Sequence, residues 1–192
     1  SGYDRVMLTL NLTNQFLIAM PALLDPNFYH TVTYICAHND EGAMGIVINR
    51  PLDMSLGDVL AQMELSPTAQ KANLLPVYHG GPVHTDRGFV LHEPLSQWDS
   101  SINVNDAVAL TTSRDILEAI ARGRGPKDSL VALGYAGWSA GQLEQEILDN
   151  AWLSGPANTD VIFKTPCQER WQTAAALLGV DMNLLSPKIG HA

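Results

Sequence analysis

Three histidines, His79, His84 and His92, fall within fourteen residues with Asp86 among them. That is the donor chemistry a transition metal takes, but the spacings match no compact zinc motif, and a strand would turn several of these side chains to opposite faces. No metal and no cofactor is expected. Cys36 and His38 offer a thiol and a base two residues apart. On a strand such side chains sit roughly 7 Å from each other, outside the hydrogen-bond contact that a nucleophile and its base need. Cys36 therefore reads as a core residue. Cys167 falls in the first turn of an expected helix, where the dipole favours thiolate, although Glu169 works against it. There is no G-x-S-x-G elbow and no H-E-x-x-H, so no catalytic residue is assigned.

The stretch "LGYAGWSAGQLEQE" (133–146) places Gly134, Gly137 and Gly141 between an apolar run and an acidic helix. A strand, glycines and a helix make the layout of an anion site at a helix N-terminus. Lys-Ser/Thr is missing, however, the spacing is not G-x-G-x-x-G, and Glu144 and Glu146 oppose an anion. The reading is a packing loop. Its glycines end a strand, Trp138 fills an apolar gap with its N–H on a partner, and Ser139 with Gln142 caps the next helix. Glu144 and Glu146 read as a solvated face. "ARGRGPKD" (121–128) is the only dense basic spot, and cations there suit a helix C-terminus. What remains is polar residues set in apolar runs: Asn49 and Arg50 before Pro51, and Asp86 and Arg87 beside Gly88. With Trp138 as a rigid wall, these five form the candidate ligand-binding set, since small polar ligands are held by a few such groups on an apolar lining.

The elements that must position them follow from pattern. Phe16–Met20 is a short apolar strand stopped by Pro21, and residues 30–38 and 43–51 form a hairpin around Asn39-Asp40-Glu41-Gly42. Ser55 and Asp58 cap a helix, residues 65–75 read as loop, and residues 77–94 make a second hairpin-like unit broken at Gly80-Gly81-Pro82. Val108–Leu110 is a strand, Thr112 and Asp115 cap a helix ended by Gly123, and Leu130–Leu133 is a buried strand. A helix from Ser139 carries Leu143, Ile147 and Ala151 on one face. Val161–Phe163 reads as a strand, and Thr165-Pro166 opens a last helix with Trp171, Ala174, Ala175 and Leu178 on its core side. Strands in hairpins followed by alternation with helices point to a mixed α+β domain with about four capped helices.

A chain of 192 residues fits one domain, with 95–106 as the place for any subdomain break. Met7 offers itself as a native start, which would make Ser1–Val6 an expression remnant or a frayed extension. Two distant cysteines suit a reducing cytoplasm, and no apolar run is long enough to span a membrane. A formal charge of −9 opposes phosphate backbones and anionic lipid, so neither duplex DNA nor a membrane is an expected partner.

Five blocks, "NQFLIAMP" (14–21), "GAMGIVINRP" (42–51), "GGPVHTDRGFVLH" (80–92), "LGYAGWSAGQLEQEILDNAWL" (133–153) and terminal "GHA" (190–192), stand in the order found in the YqgE/AlgH family of bacterial proteins. The chain resembles that family from about Asn11 onward. The resemblance implies a forked mixed sheet curled into a barrel-like shape, and it brings no catalytic residues because the family has no established activity. It carries a label of transcriptional regulator, which an acidic chain without a helix-turn-helix does little to support. The expected function is a non-catalytic binding or regulatory protein acting through an unknown protein partner or small ligand. The alternative is an enzyme acting on a small polar metabolite, and direct transcriptional regulation stands third.

Overall fold

The computed structural model describes residues 10–185, so Ser1–Val6 and the terminal "GHA" lie outside the described residues. It divides into two compact units, one formed by residues up to Asn49 together with those from Ala136, the other by Arg50–Tyr135. The fold is mixed α+β.

In the first unit, β1 (Gln15–Ala19) lies between β2 (Val32–Asn39) and β10 (Trp152–Pro156), antiparallel to both. β2 forms the expected hairpin with β3 (Gly42–Val47). The register slips between Ile35 and Ala37, which leaves Cys36 as the unpaired bulge residue. β10 is a strand that the sequence pattern does not show, and it ends in Gly155-Pro156. Proline is tolerated there because the strand pairs on one side only, with β1.

The glycine stretch is strand through Ser139 rather than a loop. The strand expected over Leu130–Leu133 does not stop at Gly134. It is β9, running from Asp128 to Ser139, and its residues Ala136–Ser139 pair antiparallel with β3. A continuous ladder satisfies the backbone groups that a loop would have left to water. Trp138 is 5% exposed in a cluster with Leu17, Ile35, Leu143 and Trp152, and Phe28 stacks on its ring.

In the second unit the order is β4 (Pro51–Ser55), β5 (Pro76–His79), β9, β6 (Val83–Glu93), β8 (Ala109–Thr111), β7 (Ser101–Asn103). β5 and β6 are thus not a hairpin. β9 enters between them, parallel to β5 and antiparallel to β6. With β3, β5 and β6 all pairing on it, β9 is the fork of the sheet.

The four expected helices are present, and two short ones add to them among the described residues. α1 (Leu56–Gln62) starts where the Ser55 N–H donates to Asp58 at 2.9 Å. α2 (Gln70–Leu74) occupies part of the stretch expected to be loop. α3 (Arg114–Ala121) is preceded by Ser113, one residue after the expected cap Thr112. It ends in a Schellman pair, Gly123 N–H to Ile120 O and Arg124 N–H to Ala119 O. α4 (Gln142–Leu148) begins beyond the Ser139 N–H, which donates to Gln142 at 3.0 Å.

Residues Val161–Phe163 belong to a helix, α5 (Thr159–Phe163), rather than to a strand. The Asn158 side chain accepts the Val161 N–H and outweighs the β-branched composition. α6 (Arg170–Ala176) follows a 3₁₀ turn at Cys167–Glu169. In the second unit Leu56, Leu60, Val77, Val90, Ile116 and Val131 form the core, joining α1 and α3 to the sheet.

Candidate functional site

The pairing of β6 with β9 breaks where the candidate residues are. Val83 pairs with Tyr135, and the next pair is Gly88 with Leu133. Four residues of β6, His84–Arg87, are extruded between those pairs, and His84 takes a positive φ of 48°. A bulge of this kind re-aims side chains that a regular strand would hold in alternation.

The glycines make room for it. Gly134 has a φ of 78°, and a β-carbon there would lie 2.3 Å from the Gly81 carbonyl oxygen and 3.3 Å from Thr85 Cα. A β-carbon on Gly80 would meet the Gly134 carbonyl oxygen at 2.3 Å. The Gly80-Gly81 connection and β9 thus approach at backbone contact, which only glycine permits.

The bulge borders a pocket of about 470 Å³ within the second unit. Thr85, Asp86 and Arg87 line it from the bulge, Thr112, Ser113 and Arg114 from the start of α3, and Val59, Met63, Leu117, Val131 and Leu133 supply apolar surface. Arg114 Nη2 donates to the Met63 carbonyl at 2.8 Å and its Nε to Glu118 at 3.0 Å, which sets its place at the rim. Ser113 is held by its hydroxyl donating to Asp115 at 2.6 Å. Burial raises the Asp115 pKa, but hydrogen bonds from Ser113, the Asp99 N–H and the Ile116 N–H outweigh it and keep the carboxyl below its ordinary value. The Arg87 guanidinium carbon lies 5.9 Å from the centre of the Phe89 ring. Neither Asp86 nor Arg87 has a hydrogen-bonded or ion-paired side-chain partner among the described residues.

The other candidates stand elsewhere. Arg50 is in the second unit but does not line this pocket. Its carbonyl accepts the His79 N–H at 2.7 Å. The His79 pKa is lowered first by burial and then by the Arg50 charge. Asn49 and Trp138 belong to the first unit. The Asn49 amide accepts from Val32 N–H at 2.8 Å and donates to the His30 carbonyl at 2.9 Å. Trp138 donates to Glu146 at 3.1 Å.

Polar centres that local pattern does not reveal appear in both units. His38, in the first, is buried; its Nδ1 accepts the Leu12 N–H at 2.9 Å, so the neutral ring carries its proton on Nε2 and donates to Glu144. Glu146 accepts from the indoles of both Trp138 and Trp152. The two carboxylates are therefore inward anchors of α4, not a solvated face. A separation of 106 residues between His38 and Glu144 leaves no local signal. His92, in the second unit, is fully buried against Thr111. The Cys36 thiol donates to the Tyr34 carbonyl, and burial pushes its pKa far up, which removes thiolate chemistry. Among the described residues no three His, Cys, Asp or Glu side chains gather as a metal set, and no helix is long and apolar enough to cross a membrane.

With this geometry in view, comparison with known proteins decides the family. Residues 16–183 match the AlgH-like family. A UPF0301 protein of Thioalkalivibrio sulfidiphilus is 64% identical over 95% of this chain and 97% of its own. The chain belongs to the AlgH-like family. Another UPF0301 relative, from Nitrosococcus oceani, is 57% identical over 93% of this chain and 96% of its own. The solution structure of AlgH from Pseudomonas aeruginosa is similar at a TM-score of 0.79 and 50% identity, covering 92% of this chain and 94% of that one. A Corynebacterium diphtheriae protein at 18% identity and a TM-score of 0.73, covering 91% of each chain, shares the fold. AlgH-like proteins have no established activity.

Proposed function

We propose that this AlgH-like chain is a non-catalytic binding or regulatory protein whose receptor site is the pocket beside the β6 bulge. The observation that carries the reading is the pair Asp86 and Arg87, extruded from the sheet onto a pocket of about 470 Å³ with no hydrogen-bonded or ion-paired side-chain partner among the described residues. That volume falls in the range of small-molecule sites, and an apolar lining with a few charged groups at one side is what orients a polar ligand. Arg87 and Arg114 suit an anionic group, Asp86 a donor, and the leucine and valine surface an aliphatic portion. The lining holds one carboxylate and no histidine or cysteine, a set equipped for recognition more than for proton transfer. The net charge of −9 directs the protein away from duplex DNA, and its two free cysteines agree with a cytoplasmic setting.

The test is native mass spectrometry of the purified protein, followed by titration with whatever small molecule is released on denaturation. A one-to-one complex is expected. Arg87→Ala should weaken it by about ten- to a hundred-fold, as loss of a charge-assisted hydrogen bond does, while the circular dichroism spectrum stays unchanged. An unaltered affinity in that variant would remove the pocket from consideration.

A further inference from the structure

A second pocket in the same unit, about 400 Å³ and lined by Leu95, Trp98, Ser101 and Asn103 among others, shares no lining residue with the first. Ser101 is exposed at its edge, and behind Ser101 runs a hydrogen-bond chain whose direction is determined by its last member. The Pro94 carbonyl can only accept, so the 3.2 Å contact puts the ring proton of His92 on Nδ1. The neutral ring then presents Nε2 as an acceptor, and the Thr111 hydroxyl, 2.7 Å away, donates to it. With its own proton used, Thr111 Oγ1 accepts from Ser101 at 2.6 Å. His92 is fully buried, and desolvation lowers its pKa against the opposing effect of the Pro94 carbonyl, which keeps the ring neutral with Nε2 as an acceptor. Ser101 thus directs its proton inward to a base and leaves its lone pairs to the pocket.

We propose that Ser101 is a covalent acceptor site, a serine made nucleophilic by Thr111 and His92 that takes an acyl group from small activated esters. In the step, Ser101 Oγ bonds to the acyl carbon and the bond from that carbon to the leaving oxygen breaks. The Ser101 proton passes to Thr111 while the Thr111 proton passes to His92 Nε2. The leaving group departs as its anion, and the imidazolium returns one proton through Thr111 to that anion or to water. The products are an acyl-serine ester, the leaving group, and one proton carried by that group or by water, with no oxidant or metal required. Thr111 and His92 act through Ser101 as positioning and relay groups.

The experiment treats the whole protein with p-nitrophenyl acetate, follows nitrophenolate release, and maps the acetyl group by peptide mass spectrometry. Acetylation of Ser101 should run about a hundred-fold faster than that of the neighbouring Ser96 and Ser100, the scale of a general-base contribution. Neutral hydroxylamine should remove it, as it removes esters and not amides. Ser101→Ala should abolish the fast phase. Thr111→Val should slow it by about a hundred-fold, and Thr111→Ser, which keeps the hydroxyl, should restore it. Equal rates at Ser101, Ser96 and Ser100 would overturn the proposal, as would an undiminished rate in a folded Thr111→Val protein. If Thr111→Val fails to fold, the comparison among the three serines in the wild-type protein decides alone.

Discussion

At the scale of single residues, the AlgH-like chain places polar atoms of aromatic and imidazole rings on named partners inside apolar surroundings. Trp138 packs against Phe28 and Trp152 while its N–H reaches Glu146. Trp138→Ala removes that packing and leaves a cavity, and should destabilise the protein by about 3–5 kcal/mol in urea denaturation. Histidines give a pH dependence whose sign follows from their surroundings. Burial lowers the pKa of His30, His79 and His92 below the ordinary 6.5, with Arg50 adding to the effect on His79. Below 6.5 the unfolded chain takes up protons that the folded chain resists, so this contribution is fully present above 6.5 and is lost as pH falls from there through the lower folded values. The urea midpoint should drop between pH 7.5 and 5.5, and His92→Gln should flatten the dependence. An equal or higher midpoint at the lower pH would contradict the assignment of these rings as neutral.

At the scale of elements, the bulge of β6 and the glycines facing it act as one device. Gly134→Ala sets a β-carbon against the Gly81 carbonyl and strains a positive φ. It should cost about 2–3 kcal/mol in stability. The same variant should weaken ligand binding at the Arg87 pocket, because relieving the contact means moving the bulge that carries Asp86 and Arg87. Calorimetric melting together with titration of the released ligand reads both effects. Unchanged stability would show that β9 and the Gly80-Gly81 connection do not press on each other in solution.

At the scale of the whole molecule, charge sets what can approach. A net −9, with no basic reading helix among the described residues, predicts no sequence-dependent duplex DNA complex of this protein alone at physiological salt. Fluorescence anisotropy against promoter fragments checks it, and a salt-resistant nanomolar complex would restore direct transcriptional regulation as a reading.

The sequence by itself determined the features that neighbours along the chain enforce. The β2–β3 hairpin, the starts of α1 and α3, the Gly123 ending and the core stripe of α6 depend on turns, caps and periodicity within a few residues. Trp138 as a buried ring with a bonded N–H was legible for the same reason. Tertiary structure alone decided the partners. Whether Leu133-Gly134-Tyr135 turns or continues as strand depends on β3, β5 and β6 offering unpaired edges from distant parts of the chain, and no local preference encodes that offer. The His38–Glu144 and Ser101–Thr111–His92 contacts arise in the same way. A hydrogen bond is decided by a few ångströms in space, and the chain separations that the fold closes leave no trace in residue spacing.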